Sequence, residues 1–170
     1  KTQLRKIRQN HPTHTLPPIP LFKLLSHLPQ EPTQILLYQA TPLEPQTHTL
    51  IEHLFAHTKH QIFIPNTTEL SPTFTHLTPD TPLFQTSIQT QEELNPHKLF
   101  QATDFPPNSI CIIPCLGVNP SNYRLGYGSG FYDRFLSDFP GTSIGIVHHK
   151  NIVDFTPEAH DIPLDTIISW

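Results

Sequence analysis

Twenty prolines spread through 170 residues argue against a helix bundle, because each proline removes a backbone donor and fixes φ. The chain must instead be loop-rich, with short regular elements. Charged residues make up only 14% and hydrophobic ones 36%, which excludes a coiled coil and a highly charged disordered segment. The length is that of one domain, residues 1–170. No apolar run reaches the roughly 18 residues a membrane span requires. Lys1 to His11 has no apolar core of a secretory signal. Cys111 and Cys115 are the only cysteines and share one apolar stretch, so the expectation is two buried thiols in a reducing cytoplasm.

The net charge of −4 conceals an asymmetry. Lys1, Arg5, Lys6 and Arg8 are four of the ten cationic residues; from Gln9 onward six cations face fourteen acids, a net of −8. Such a chain lacks the many phosphate contacts that a nucleic-acid surface needs. An anionic small molecule would have to be met by a few well-placed cations. Lys1, Arg5 and Arg8 fall on one helical face, as a solvated terminus or as a binding element.

Pro12 ends the first helix near His11, and Thr13 to Pro20 reads as extended. A short helix follows over Leu21 to Leu28. Gln34 to Gln39 reads as a buried strand, and Glu44-Pro45-Gln46-Thr47 as a helix entry with Pro45 in the first turn. Leu50, Ile51, Leu54 and Phe55 form that helix's apolar stripe, and Gln61 to Pro65 is the next strand. Strand, helix, strand is the signature of a parallel sheet. Asn66 to Pro82 carries no pattern; Leu83 to Gln89 suggests a strand, and Gln91 to Gln101 a weak helix. Ser109 to Pro114, Thr142 to Val147 and Thr166 to Trp170 are further strands, with a helix from Phe131 to about Asp138. The expected class is α/β.

Four of the six glycines are Gly117, Gly126, Gly128 and Gly130. Alternate glycines between a strand and a helix allow a tight turn that aims several N–H groups at one point, beside the positive end of a helix. Neither common phosphate-loop spacing is matched. Arg124 enters the turn and Phe131-Tyr132-Asp133-Arg134 leaves it. Asp133 either complements the helix dipole or offers a hard oxygen to Mg²⁺. A second cluster, Pro157 to Asp165, packs three acids after its first proline and His160 into a proline-stiffened loop, placed by this reading at the carboxyl edge of the sheet. His53 and His57 have a zinc-compatible spacing without the acid between them that a zincin requires. The C-x-x-x-C spacing is neither a metal nor a redox signature. No G-x-S-x-G elbow is present, which argues against a serine hydrolase.

The run Arg124-Leu-Gly-Tyr-Gly-Ser-Gly-Phe-Tyr-Asp-Arg-Phe-Leu136 closely resembles the 5-formyltetrahydrofolate cyclo-ligase (5,10-methenyltetrahydrofolate synthetase) family. Supporting likenesses are Pro157-Glu-Ala-His-Asp-Ile-Pro-Leu-Asp165, Lys1-x-x-Leu4-Arg5 and Glu44, in the family's order. The resemblance implies a three-layer α/β/α sandwich around a largely parallel sheet. It also implies an ATP-dependent ring closure of 5-formyltetrahydrofolate to 5,10-methenyltetrahydrofolate, in a monomer that acts on small molecules.

Carried over residue by residue, the resemblance implies that Lys1 and Arg5 neutralise ATP phosphates. Arg124, Gly126, Tyr127, Gly128, Ser129, Gly130, Phe131 and Tyr132 would wrap the triphosphate, with Arg124 and Asp133 catalytic. Tyr127 and Phe131 would also meet the folate, Glu44 would bond the pterin, and Asp133 and Asp161 would hold Mg²⁺. The chain departs from the family pattern at Ser129, Cys115, Asn119 and Asn66, and Ile88 to Phe105 lacks the family's aromatic-Gly-Ile-x-Glu-Pro segment. Two other readings are a non-catalytic nucleotide- or folate-binding protein, and a sugar-phosphate isomerase or CoA-transferase-like enzyme on a related scaffold.

Overall fold

The structure is a computed structural model that describes residues 21–41, 44–66, 72–79 and 98–170. Lys1, Arg5, the expected first helix, the extended segment after it and the strand at Leu83 to Gln89 lie outside these residues. In chain order the elements are α1 (Leu21–Leu25), β1 (Gln34–Leu36), α2 (His48–His57), β2 (Gln61–Asn66), β3 (Thr73–Leu77) and β4 (Leu99–Phe100). There follow β5 (Ile110–Pro114), β6 (Gly117–Val118), β7 (Arg124–Leu125), α3 (Phe131–Leu136), β8 (Thr142–Val147) and β9 (Thr166–Ser169).

Seven strands form one sheet in the order β4-β3-β2-β1-β5-β8-β9, and β6 pairs with β7 in a separate two-stranded hairpin. Four of the six pairings, β2–β1, β1–β5, β5–β8 and β8–β9, are parallel, while β3 is antiparallel to both of its neighbours. Strand side chains alternate, so β5 sends Ile110 and Ile112 to one face and Cys111 and Ile113 to the other. The first face is covered by Leu24 of α1 and by Leu50, Ile51 and Leu54 of α2. The second is covered by Phe135 and Leu136 of α3 and by Phe139, packed with Phe63, Phe74 and Phe105. Two covered faces make three layers, and they explain why the central strands read as uninterrupted apolar runs.

Several elements differ from the sequence reading. Helix α2 starts at His48 rather than at Pro45, because the Pro45 carbonyl accepts the Tyr38 hydroxyl and the Thr47 hydroxyl bonds the Tyr38 carbonyl, which holds 44–47 as a loop. Strand β3 arises in the stretch without a pattern. Its Phe74 enters the aromatic cluster, but its threonines hide the alternation. Leu99–Phe100 is a two-residue strand, not the end of a helix, since it pairs with β3 and Phe100 packs edge-on against Phe63. Helices α1 and α3 are shorter than expected, although Leu28 and Phe139 beyond them remain buried.

In the 157–165 loop Ile162 N donates to Asp133 Oδ1 on the carboxyl side, but the last acid is placed differently. The loop leads into the amino end of β9, and Asp165 is drawn to that end of the sheet, where Oδ2 accepts from Ser143 N (2.8 Å) and Ser143 Oγ (2.7 Å). The third acid of the cluster is therefore structural. Replacing Asp165 by Ala removes the acceptor for two donors of a buried serine, and should cost about 1–3 kcal/mol of stability in urea unfolding. An unchanged midpoint would mean that water satisfies Ser143 equally well.

Candidate active site

Strand β1 lies where the chain changes direction across the sheet: β2 is on one side of it, and β5, β8 and β9 follow on the other. In open α/β sheets the crevice beyond the carboxyl ends of such strands is where ligands bind. Two connections flank it here, 37–47 after β1 and 115–130 after β5.

The second connection is built around Arg124. Asn119 Oδ1 accepts from the backbone of Ser121 and Tyr123, both at 3.0 Å, which closes the β6–β7 hairpin. Its Nδ2 donates to Phe155 O at 3.1 Å, a bond that needs an amide donor. The hairpin delivers Arg124, whose Nη2 lies 2.8 Å from Asp133 Oδ2; the two side chains are only 6% and 13% exposed. The guanidinium lies over the Tyr132 ring, 5.2 Å from its centroid. Its Nε is buried with no hydrogen-bond partner among the described residues. A Cβ on Gly126 would strike Nη1 of Arg124, so glycine there makes room for the folded-back guanidinium. Gly128 (φ 90°) and Gly130 (φ 65°) occupy the left-handed region that glycine tolerates. Ser129 Oγ accepts from Phe131 N (3.4 Å), and Ser129 O accepts from Arg134 Nη1 (2.8 Å). Helix α3 has six residues, too short to supply much dipole, so the positive charge of the turn comes from Arg124 and Arg134.

Asp133 Oδ1 accepts from Ile162 N at 3.4 Å, which brings the first turn of α3 against the residue after Asp161. Asp161 braces its own turn, with Oδ2 accepting from Glu158 N at 2.7 Å. Among the described residues no group of three metal-ligating side chains is found. Mg²⁺ that arrives with phosphate oxygens of its own needs only one or two carboxylates from a protein.

The first connection holds Glu44, which is 7% exposed. Oε2 accepts from Thr41 N at 2.8 Å. Burial raises its pKa, and the Thr41 bonds pull the other way. Tyr38 lies two residues beyond β1, and Tyr132 lies in the first turn of α3. Their phenols are pushed up chiefly by burial; Glu44 adds to both shifts, which places all three groups in one electrostatic neighbourhood. Tyr127 is 46% exposed, while Phe131 packs against Tyr132 at 5.2 Å. Tyr38 and Thr47 were missed from the sequence. Their one signal was a phenol at the carboxyl end of a strand beside a helix entry.

The family model described as the 5-formyltetrahydrofolate cyclo-ligase family matches residues 21–169. The chain belongs to that family. A cyclo-ligase from Mycoplasma pneumoniae is 41% identical over 73 residues, covering 41% of this chain and 44% of the relative. One from Haemophilus influenzae is 29% identical over 183 aligned positions, covering 99% of this chain and 94% of the relative. The matched stretch thus spans under half of the Mycoplasma relative. The solved structure of a 5,10-methenyltetrahydrofolate synthetase from Mycoplasma pneumoniae superposes with a TM-score of 0.66 at 25% identity, over 87% of this chain and 80% of that one.

Cys111 in β5 and Cys115 just after it are free and buried. Burial raises both thiols, Cys115 up to about 12, against the opposing pull of Arg124. The thiolate is the reactive form. At pH 8 a disulfide reagent should therefore label neither cysteine in the native protein and both after denaturation; fast native labelling would show that the core opens.

Proposed function

We propose that the protein converts 5-formyltetrahydrofolate and ATP to 5,10-methenyltetrahydrofolate, ADP and phosphate. The supporting observation is the meeting, at one switch point, of a buried carboxylate on the β1 side and a buried Arg124–Asp133 pair with a glycine turn on the β5 side. Family membership supports the same reading.

The chemistry requires this division. A formyl oxygen is a poor leaving group, so attack by N10 on the formyl carbon stalls until that oxygen takes the γ-phosphoryl group from ATP. N10 then closes the ring, loses its proton, and phosphate departs. Phosphoryl transfer depends on positioning and charge neutralisation rather than on a covalent contribution from protein. Arg124, with its unpartnered Nε, offers donors to phosphate oxygens, and the 126–130 turn lets the chain approach them closely. Mg²⁺ would neutralise the phosphates, with Asp133 and Asp161 as its protein ligands. Lys1 and Arg5 would add charge to the same group, which accounts for cations concentrated at the start of an otherwise acidic chain. Glu44 would accept from pterin N–H donors, with Tyr127 and Phe131 against the ring. In this reading the protein works as a monomeric cytoplasmic enzyme, and its acidic balance beyond Gln9 leaves nucleic acid without a surface.

Mixing the protein with Mg-ATP and 5-formyltetrahydrofolate should generate the absorbance of methenyltetrahydrofolate; no product would remove the proposal. Asp133→Asn keeps an acceptor for Arg124 but loses the charge, and should lower turnover by on the order of a hundredfold or more with the far-UV spectrum unchanged. Arg5→Ala should raise KM for ATP by roughly three- to tenfold while that for folate stays constant. The opposite pattern would move Arg5 to the folate side.

A further inference from the structure

The segment between β1 and α2 is held more firmly than a surface connection needs. Tyr38 reaches across it twice: its hydroxyl donates to Pro45 O at 2.7 Å, and its carbonyl accepts from Thr47 Oγ1 at 2.9 Å. Both bonds are buried. Thr47 stands at the N-cap of α2, where a threonine hydroxyl ordinarily accepts from the first turn of its own helix. Here it makes no such bond, and it donates backwards to Tyr38 instead. The helix gives up a local stabilisation in favour of the loop.

What the clamp encloses is Glu44. Its N donates to Thr41 O (3.0 Å), its O accepts from Gln46 Nε2 (3.2 Å), and Oε2 accepts from Thr41 N (2.8 Å). Gln46 Nε2 also donates to Thr41 O at 3.0 Å, which ties the two ends of this turn. Every backbone polar atom of Glu44 and one carboxylate oxygen are thus committed. The Thr41 side chain adds a further hydrogen bond to the carboxylate. A carboxylate fixed in this way is held at a set place and loses little further freedom on binding, which is how preorganisation raises affinity.

We propose that Tyr38 and Thr47 are positioning residues for the folate site, acting through Glu44 and not by touching substrate. The proposal rests on the reading that Glu44 accepts from the pterin. It assigns the clamp to one substrate only, because Arg124 and the glycine turn belong to the other connection.

The test uses Thr47→Val, Thr47→Ser and Tyr38→Phe, with Glu44→Gln as the reference. Thr47→Val keeps the shape and removes the hydroxyl. KM for 5-formyltetrahydrofolate should rise roughly three- to tenfold, the loss expected for one hydrogen bond, with KM for ATP unchanged. Thr47→Ser should restore it to within about twofold, and Tyr38→Phe should follow Thr47→Val. In a Glu44→Gln background Thr47→Val should add nothing further, since the group it positions is already lost. Should Glu44→Gln raise the folate KM while Thr47→Val and Tyr38→Phe leave it alone, the clamp has no positioning role although the pterin reading stands. Should Glu44→Gln itself leave it alone, the pterin reading fails. Equal rises in both KM values, or a rise that persists in the Glu44→Gln background, would mean that the clamp only holds the fold together.

Discussion

A guanidinium withdrawn from water stays charged at tolerable cost only if its surroundings answer it, and the crevice is organised around that requirement. Arg124 is met by Asp133 at 2.8 Å and by the face of Tyr132. Desolvation offsets much of the attraction in such a pair, so its worth lies less in stability than in geometry. It joins the last hairpin residues before the glycine turn to the first helical turn after it. The intervening chain must then close within a short span, which is why Gly126 yields space to the guanidinium and Gly128 and Gly130 take positive φ. One ion pair thus dictates where three glycines are needed.

Topology supplies the other half. Glu44 and Arg124 are eighty positions apart, yet β1 and β5 are hydrogen-bonded neighbours, so the loops beyond their carboxyl ends face one another. The adjacency exists because the chain builds outward from β1 in one direction and returns to build outward from β5 in the other. Layers on both faces keep the strands, and therefore the loop anchors, in a fixed relation.

The strands buried on both faces were legible beforehand, since Ile-rich runs such as Ile110–Pro114 allow few other readings. The glycine turn and its flanking Arg124 and Asp133 were legible as well, because they are contiguous. What escaped depends on partners distant in sequence or on bonds that override local preference. Thr73–Leu77 becomes a strand through pairing with β2, and its aromatic side finds Phe105 and Phe135 far along the chain. Pro45 looks like a helix start, but the Tyr38 hydroxyl captures its carbonyl and delays the helix to His48. Asp165 looks equivalent to Asp161 in a row of acids, yet only the fold shows it bound to Ser143. Local pattern reveals elements; it does not reveal which polar atom a side chain will answer.

The two flanks of the crevice are finished to different degrees, and the difference matches the two ligands proposed for them. On the β1 side the backbone N and O of Glu44 and its carboxylate are all hydrogen-bonded within the protein. That suits a rigid bicyclic ring, which must be met by acceptors already in place. On the β5 side a buried donor, Arg124 Nε, has no partner among the described residues, and none of them lies where a side chain at Gly128 would stand. An unpaired buried donor costs about 1–3 kcal/mol, a penalty removed only when an acceptor arrives. A phosphate oxygen would relieve it, and an apolar ligand would not. The flank left incomplete therefore favours the anionic, flexible ligand, and the completed flank favours the rigid one.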